Sequence, residues 1–123
     1  MTLSKLILDL EGRLPRCSGF AVVTFCKSEL EAAGGDPDSE PIVDAYADDG
    51  AEDIILRVGN PSEGAPAVTL ADLLGILKPL QDNRGEFSVE ASSDDPSAEW
   101  RLDLPLAGVG ENSSARLIAL VTV

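Results

Sequence analysis

The first apolar positions of the chain follow the spacing of one helix face. They recur at intervals of three and four residues, at Leu3, Leu6, Ile7, Leu10 and Leu14. Thr2 is placed as an N-cap, and Gly12 and Pro15 are residue types at which helices commonly stop. The pattern predicts an amphipathic helix at the start of the chain.

Strand patterns follow this helix. The segment from Phe20 to Cys26 is rich in β-branched and aromatic residues and is apolar on both faces, which predicts a strand covered on both sides. Residues 41–47 and 53–58 are predicted as two more strands. The Asp48-Asp49-Gly50 sequence between them favours an antiparallel hairpin. Residues 59–66, which contain prolines and glycines, are predicted to form a loop.

The helix pattern then returns. Thr69 is placed as a second N-cap. The apolar stripe that follows it in sequence ends before Pro79 and consists of Leu70, Leu73, Leu74 and Leu77. Residues 87–92 alternate between apolar and polar positions, which predicts a strand with one wet face.

The C-terminal quarter is predicted to hold the last two strands. Residues 100–106 alternate in the same way, and Pro105 indicates an edge strand or a strand end. The Gly108-Val109-Gly110 sequence resembles a phosphate-binding turn, but no helix pattern follows it, so an ordinary turn is predicted there. Residues 116–123 are predicted as the last strand, in a central position.

The two halves of the chain align without a gap at a constant offset of 67 residues, as the pairs Thr2 and Thr69, Leu6 and Leu73, and Phe20 and Phe87 show. The predicted fold is α+β, with two tandem helix-strand-strand-strand units, about two helices and six strands, and a mainly antiparallel sheet. Units 1–59 and 67–123, joined by the proline- and glycine-containing loop, are expected to pack as one pseudo-two-fold domain. The alternative is a chance likeness between two amphipathic helices that each precede a strand.

Composition limits the classes of protein further. The chain has 123 residues, 44% of them hydrophobic, which suits a single compact domain covering residues 1–123. Neither a signal peptide nor a membrane-spanning run is predicted, so the expected location is the cytoplasm. Cys17 and Cys26 flank the predicted first strand and are expected to be free thiols, too far apart to form a disulfide.

Charge and the absence of histidine exclude several kinds of function. The chain contains 22 acidic and 9 basic residues, for a formal charge of −13, so direct binding to nucleic acid or to anionic membranes is not expected. Without histidine there is no imidazole base, Ser-His-Asp triad or histidine metal site. No catalytic residue, metal site or cofactor is predicted. A calcium loop that would start at Asp36 is rejected because Pro41 and Ala47 stand where its glycine and glutamate belong.

The distribution of acidic residues is the strongest functional signal. Ten acidic residues and no basic residue lie between Ser28 and Leu56, and a second stretch without basic residues, Gly85 to Trp100, contains five more acidic residues. If the units pack as predicted, these segments could merge into one negative face. Eight residues of the first stretch are the predicted partner-binding residues: Asp36, Asp38, Glu40, Asp44, Asp48, Asp49, Glu52 and Asp53.

Two classes of function follow from this charge. The first is a non-enzymatic protein that docks on the basic surface of a protein partner. The most specific version of this hypothesis is an inhibitor of the phage or mobile-element type that occupies the nucleic-acid site of a nucleic-acid-binding protein. This analogy rests on charge and size. The second is a small enzyme or ligand-binding domain that works through carboxylates. A purely solubilising or salt-adapted surface would have the same composition.

Overall fold

The computed structural model of the protein describes residues 1–26, 40–59, 67–93 and 104–122. This part of the chain contains two helices and six strands, which confirms the predicted α+β class. In chain order the elements are α1 (Leu3–Cys17), β1 (Ala21–Cys26), β2 (Glu40–Asp48), β3 (Asp53–Val58), α2 (Leu70–Leu80), β4 (Ser88–Ser93), β5 (Leu104–Asn112) and β6 (Leu117–Thr122).

The six strands form a closed barrel in which spatial order equals chain order. Four neighbouring pairs are antiparallel, namely β1 with β2, β2 with β3, β4 with β5, and β5 with β6. The two remaining pairs, β3 with β4 and β6 with β1, are parallel. The prediction of a mainly antiparallel sheet is therefore confirmed, whereas its closure was not predicted.

Both helices begin where the sequence predicts. The Thr2 hydroxyl accepts a hydrogen bond from the Lys5 N–H at 3.3 Å, and the Thr69 hydroxyl accepts one from the Asp72 N–H at 3.2 Å. The predicted stop signals of α1 are wrong, because the helix runs to Cys17. Proline in a last turn removes only one helical hydrogen bond, and burial of Cys17, which is 1% exposed, favours continuing the helix.

The apolar faces of both helices and the inner face of the barrel form one core. The helices pack against each other, and α2 also packs against β2. On the opposite face of α1, Leu8 is 75% exposed. The largest fully buried side chains include Leu3, Leu6, Leu10, Ile42, Ile54, Leu56, Leu70, Leu73, Leu77, Ile118 and Leu120. Neither described helix is long and apolar enough to cross a membrane.

The prediction of a turn at Gly108-Val109-Gly110 is wrong, because these residues lie within β5. Gly108 pairs with Val121 and Gly110 with Ala119, after a register shift between Leu106 and Gly108. The turn between β5 and β6 comes later, where the Asn112 side chain accepts a hydrogen bond from the Ala115 N–H at 3.0 Å. Glycine often marks a turn, but its pairing here is decided by the neighbouring strand. The first four residues of the predicted strand 100–106 lie outside the described residues.

The connections between the two halves have matching backbone hydrogen bonds. The Leu3 N–H donates to the Phe87 carbonyl, and the Leu70 N–H donates to the Phe20 carbonyl, both at 2.9 Å. The residues just before each helix are bound in the same way, since the Val89 N–H donates to the Met1 carbonyl and the Val22 N–H to the Val68 carbonyl, again at 2.9 Å. The start of each helix is thus hydrogen-bonded to the residues at and just before the first strand of the other half.

Candidate interaction surface

The turn between β2 and β3 brings four of the predicted acidic residues together. Asp48 and Asp53 are paired across the end of the hairpin, and Asp49 and Glu52 lie in the turn itself. The Asp48 carboxylate accepts a hydrogen bond from the Ala51 N–H at 3.2 Å, which fixes the turn locally. Asp53 is partly buried and the other three acidic residues are exposed, so their charges face solvent.

The connection from α2 to β4 lies beside this turn and adds two exposed acidic residues, Asp82 and Glu86. The Arg84 guanidinium in the same connection donates to both carboxylate oxygens of Asp49, at 2.6 and 3.1 Å. We call this surface the acidic end and define it by six carboxylates and one arginine: Asp48, Asp49, Glu52, Asp53, Asp82, Glu86 and Arg84.

Arg84 balances only part of the charge of the acidic end. Its hydrogen bonds hold the pKa of Asp49 below the usual value, and Asp49 and Asp82 raise the pKa of Arg84. Within the described part of the chain, Glu52, Asp53 and Glu86 have no hydrogen-bonding or ionic side-chain partner. Three carboxylates are therefore available to a cationic ligand or partner.

A cavity of about 640 Å³ opens between the two segments of the acidic end. Glu52 and Asp53 line it from the hairpin side, and Glu86, Phe87 and Ser88 line it from the side of β4. The cavity is open to solvent and is lined mainly by polar groups. Among the described residues, no group of three or more cysteine, aspartate or glutamate side chains could hold a metal ion.

The other four predicted site residues do not join this cluster in the described structure. Asp36 and Asp38 lie outside the described residues. Glu40 is at the far end of β2 from the turn, roughly 26 Å away at the rise of an extended strand. Asp44 is half-buried within β2, and its carboxylate lies 3.8 Å from the Arg57 guanidinium on β3.

Of the described acidic residues in the second stretch, Glu86 belongs to the acidic end and Glu90 does not. Glu86 lines the cavity, whereas Glu90 lies within β4 opposite Ile55. The remaining acidic residues of this stretch, Asp94, Asp95 and Glu99, lie outside the described residues. Asp82 and Arg84 were not predicted as site residues, because they fall outside both stretches that lack basic residues. The feature of the sequence that could have identified them is their position, since they lie just before the strand that aligns with β1.

A second group of charged residues lies beside the turn between β5 and β6. Because β1, β3, β4 and β6 run in the same direction, this turn is at the same end of the barrel as the turn between β2 and β3, across the barrel from it. Arg13 donates hydrogen bonds to Asp9 at 2.6 Å and to Glu111 at 3.0 Å, and Arg16 donates to Glu111 at 3.2 Å. Burial raises the pKa of Glu111, but the hydrogen bonds from Arg16 and Arg13 outweigh it and leave the pKa below the usual value. Arg116, at the end of the β5–β6 turn, places its guanidinium 5.7 Å from the centre of a phenyl ring.

Cys17 lies near Glu111, Arg13 and Arg16 and is a free, buried thiol. Burial raises its pKa, and the nearby Glu111 carboxylate raises it further. A thiol in this environment stays protonated and is a poor nucleophile. The side chain of Cys26 lies outside the described structure.

The fold and this surface together define a class, an α+β barrel protein with an exposed group of carboxylates around the turn between β2 and β3. A scan against models of protein families, a search of curated proteins and a search of solved structures each found no match for the chain. The geometry and charge of the acidic end are therefore the basis for inferring a function.

Proposed function

We propose that the protein is a non-enzymatic, acidic interaction protein that docks on the basic surface of a protein partner through its acidic end. The observation that carries this proposal is the grouping of six carboxylates around one arginine on two adjacent segments. An exposed group of like charges speeds association with a surface of opposite charge. A nucleic-acid-binding protein presents such a basic surface, so an inhibitor that occupies a nucleic-acid site is the sharpest form of the proposal.

The cavity supports a second candidate, a small carboxylate-based ligand-binding domain or enzyme. A general acid would need a carboxyl group with a raised pKa. In the acidic end, the hydrogen bonds from Arg84 lower the pKa of Asp49, which is the opposite of what a general acid needs. A carboxylate held ionised in this way suits docking on a cationic surface better than proton transfer, and this favours the first candidate.

We also propose that the chain arose by tandem duplication of a helix-strand-strand-strand unit and folds as one pseudo-two-fold domain. Three matching features support this. The helices start 67 residues apart and the last strands start 64 residues apart. The left-handed backbone positions before those strands, Glu52 and Arg116, have φ angles of 57° and 56°. Asp53 begins the parallel pairing of β3 with β4, and Leu117 begins the parallel pairing of β6 with β1. The two pairings have equivalent registers.

The docking proposal is tested with two variants that make the same change in net charge. Glu52→Lys with Glu86→Lys reverses the acidic end, and Glu11→Lys with Asp72→Lys reverses two exposed helix residues elsewhere. Partners are first captured from the source cell by the wild-type protein and identified. The association rate constant of each purified partner is then measured between low and several times physiological salt.

We expect the acidic-end variant to slow association by at least tenfold, because steering contributes factors of 10 to 1000, and the control variant to retain most of the rate. Association of the wild-type protein falls with salt, since exposed charges are screened beyond about 8 Å at physiological ionic strength. If the partner is held at a nucleic-acid site, the wild-type protein displaces nucleic acid from it. Equal rates for both variants, or binding that is insensitive to salt, would refute the proposal.

A further inference from the structure

Two phenylalanines lie in matching backbone environments where β1 and β4 begin, at the same end of the barrel. Phe20 precedes β1, and its N–H donates to the Cys17 carbonyl at 2.9 Å. Phe87 precedes β4, and its N–H donates to the Arg84 carbonyl at 3.0 Å. The carbonyl of each phenylalanine accepts a hydrogen bond from the first N–H of one helix, Phe20 from Leu70 and Phe87 from Leu3. Both rings are partly buried and pack against the core.

The two rings differ in their charged neighbours. Beside the start of β1, Arg116 precedes β6, which pairs with β1, and its guanidinium lies 5.7 Å from the centre of the Phe20 ring. Beside the start of β4, Glu52 precedes β3, which pairs with β4, and it lines the cavity together with Phe87. Phe20 thus has a guanidinium of the chain itself on its ring, whereas Phe87 lines an open cavity together with a carboxylate.

The charges around the Phe87 cavity suit a cation. Glu52, Asp53 and Glu86 line it, and none of them has a side-chain partner among the described residues. The nearest arginine, Arg84, is already bound to Asp49 through two hydrogen bonds. The cavity is thus lined by unpaired carboxylates and a phenylalanine, and carboxylates and aromatic rings both bind guanidinium groups in proteins.

We infer that this cavity binds an arginine side chain of the basic partner, with its guanidinium over Phe87 as Arg116 lies over Phe20. The inference rests on the proposed function and specifies the group that the acidic end recognises. Arginine fits better than lysine because its planar guanidinium stacks on a ring while it donates to carboxylates at its edge. The bound arginine would neutralise part of the charge that Arg84 leaves unbalanced.

The test uses a blocked Gly-Arg-Gly peptide, which carries one cation, and matched peptides with citrulline or lysine in place of arginine. Binding is followed by NMR through the resonances of Phe87 and Ser88. The arginine peptide is expected to shift these resonances saturably. The neutral citrulline peptide is expected not to bind, and the lysine peptide to bind several times more weakly.

Phe87→Leu and Phe20→Leu form a matched pair, since the two rings have equivalent positions. Phe87→Leu is expected to weaken arginine binding by about fivefold to tenfold, and Phe20→Leu to leave it within twofold. Glu52→Arg is expected to abolish binding, because it supplies the chain with its own guanidinium beside Phe87. Thermal unfolding of each variant identifies any change that comes from lost folding.

The outcomes separate this inference from the proposed function. If Glu52→Lys with Glu86→Lys abolishes peptide binding while Phe87→Leu does not, the acidic end binds cations but the ring has no part, and the inference is wrong. Equal affinity for arginine and lysine peptides also overturns it. If the peptide results hold but partner association does not depend on salt or on the acidic end, the docking function fails and the arginine site remains.

Discussion

Replacing one leucine in each helix tests whether the two halves contribute equally to the core. Leu6 of α1 and Leu73 of α2 are both 0% exposed and lie 67 residues apart. Leucine to alanine removes about three carbon atoms, a loss of about 2 kcal/mol in burial free energy. The cavity left behind raises the expected cost to about 3 to 4 kcal/mol for each variant. Equivalent surroundings predict costs within about 1 kcal/mol of each other, well inside the spread among buried leucines.

Urea unfolding of Leu6→Ala, Leu73→Ala and the wild-type protein measures these costs, with an unchanged m-value indicating that the unfolding transition is the same. Leu8→Ala is the control, because Leu8 is 75% exposed on the same helix as Leu6, and its cost should stay below about 0.5 kcal/mol. A surface-like cost for either buried leucine alone would refute the equivalence of the two helices.

Three other predictions follow from single contacts. Thr2→Ala and Thr69→Ala should each lower the free energy of unfolding by about 1 kcal/mol, because each hydroxyl caps a helix at 3.2 to 3.3 Å; Thr→Ser at the same positions should restore most of it. Arg84→Met should raise the pKa of Asp49 toward its ordinary value in an NMR titration. The Asp49–Arg84 pair stabilises the fold above the unfolded-state pKa of Asp49 and is lost as pH falls through the lower folded-state pKa, so an unchanged titration would contradict the ion pair. Both cysteines should react with a thiol reagent after denaturation without reductant, and Cys17 should react slowly in the native protein because it is buried; recovery of a disulfide would contradict this.

The helices and the first hairpin were predictable because their signals are local. The caps at Thr2 and Thr69 and the leucine spacing define the helices without long-range information. The closure of the barrel was not predictable, since it depends on parallel pairing of β6 with β1 between residues almost a hundred positions apart. The glycines at 108 and 110 illustrate the same limit, because the pairing partner on β6 decides whether they form a turn or a strand.

The acidic end was predictable in part. The hairpin acids Asp48, Asp49, Glu52 and Asp53 are neighbours in sequence, so any turn there groups them. Arg84 and the Phe87 ring reach the same place only because β3 pairs with β4. Closeness in sequence also led to a residue being grouped with the turn that does not lie near it. Glu40 is close to the turn in sequence but is separated from it by the length of an extended strand.

The matching contacts of the two halves lead to a last prediction, which concerns the order of the segments along the chain. If the halves are related by a pseudo-two-fold axis, the position of Thr122 relative to Met1 is equivalent to the position of Val58 relative to Val68. This follows because β6 ends beside β1 in the same way as β3 ends beside β4. Nine residues, from Gly59 to Ala67, connect the second pair. We consider a circular permutant that is opened between residues 62 and 63. Val123 and eight added glycine and serine residues then connect Thr122 to Met1, so the new connection has the same length of nine residues.

This permutant should fold cooperatively and retain its near-ultraviolet circular dichroism, because it keeps every strand pair and both helix caps. Its free energy of unfolding should lie within about 1 to 2 kcal/mol of the wild-type value, since loop-closure entropy depends only weakly on loop length. A second permutant with the same linker, opened between Asp49 and Gly50, should lose more stability, because it cuts the hairpin that β2 and β3 form. If the first permutant fails to fold while the second folds, Thr122 and Met1 are not placed as Val58 and Val68 are, and the proposed duplication loses its structural basis.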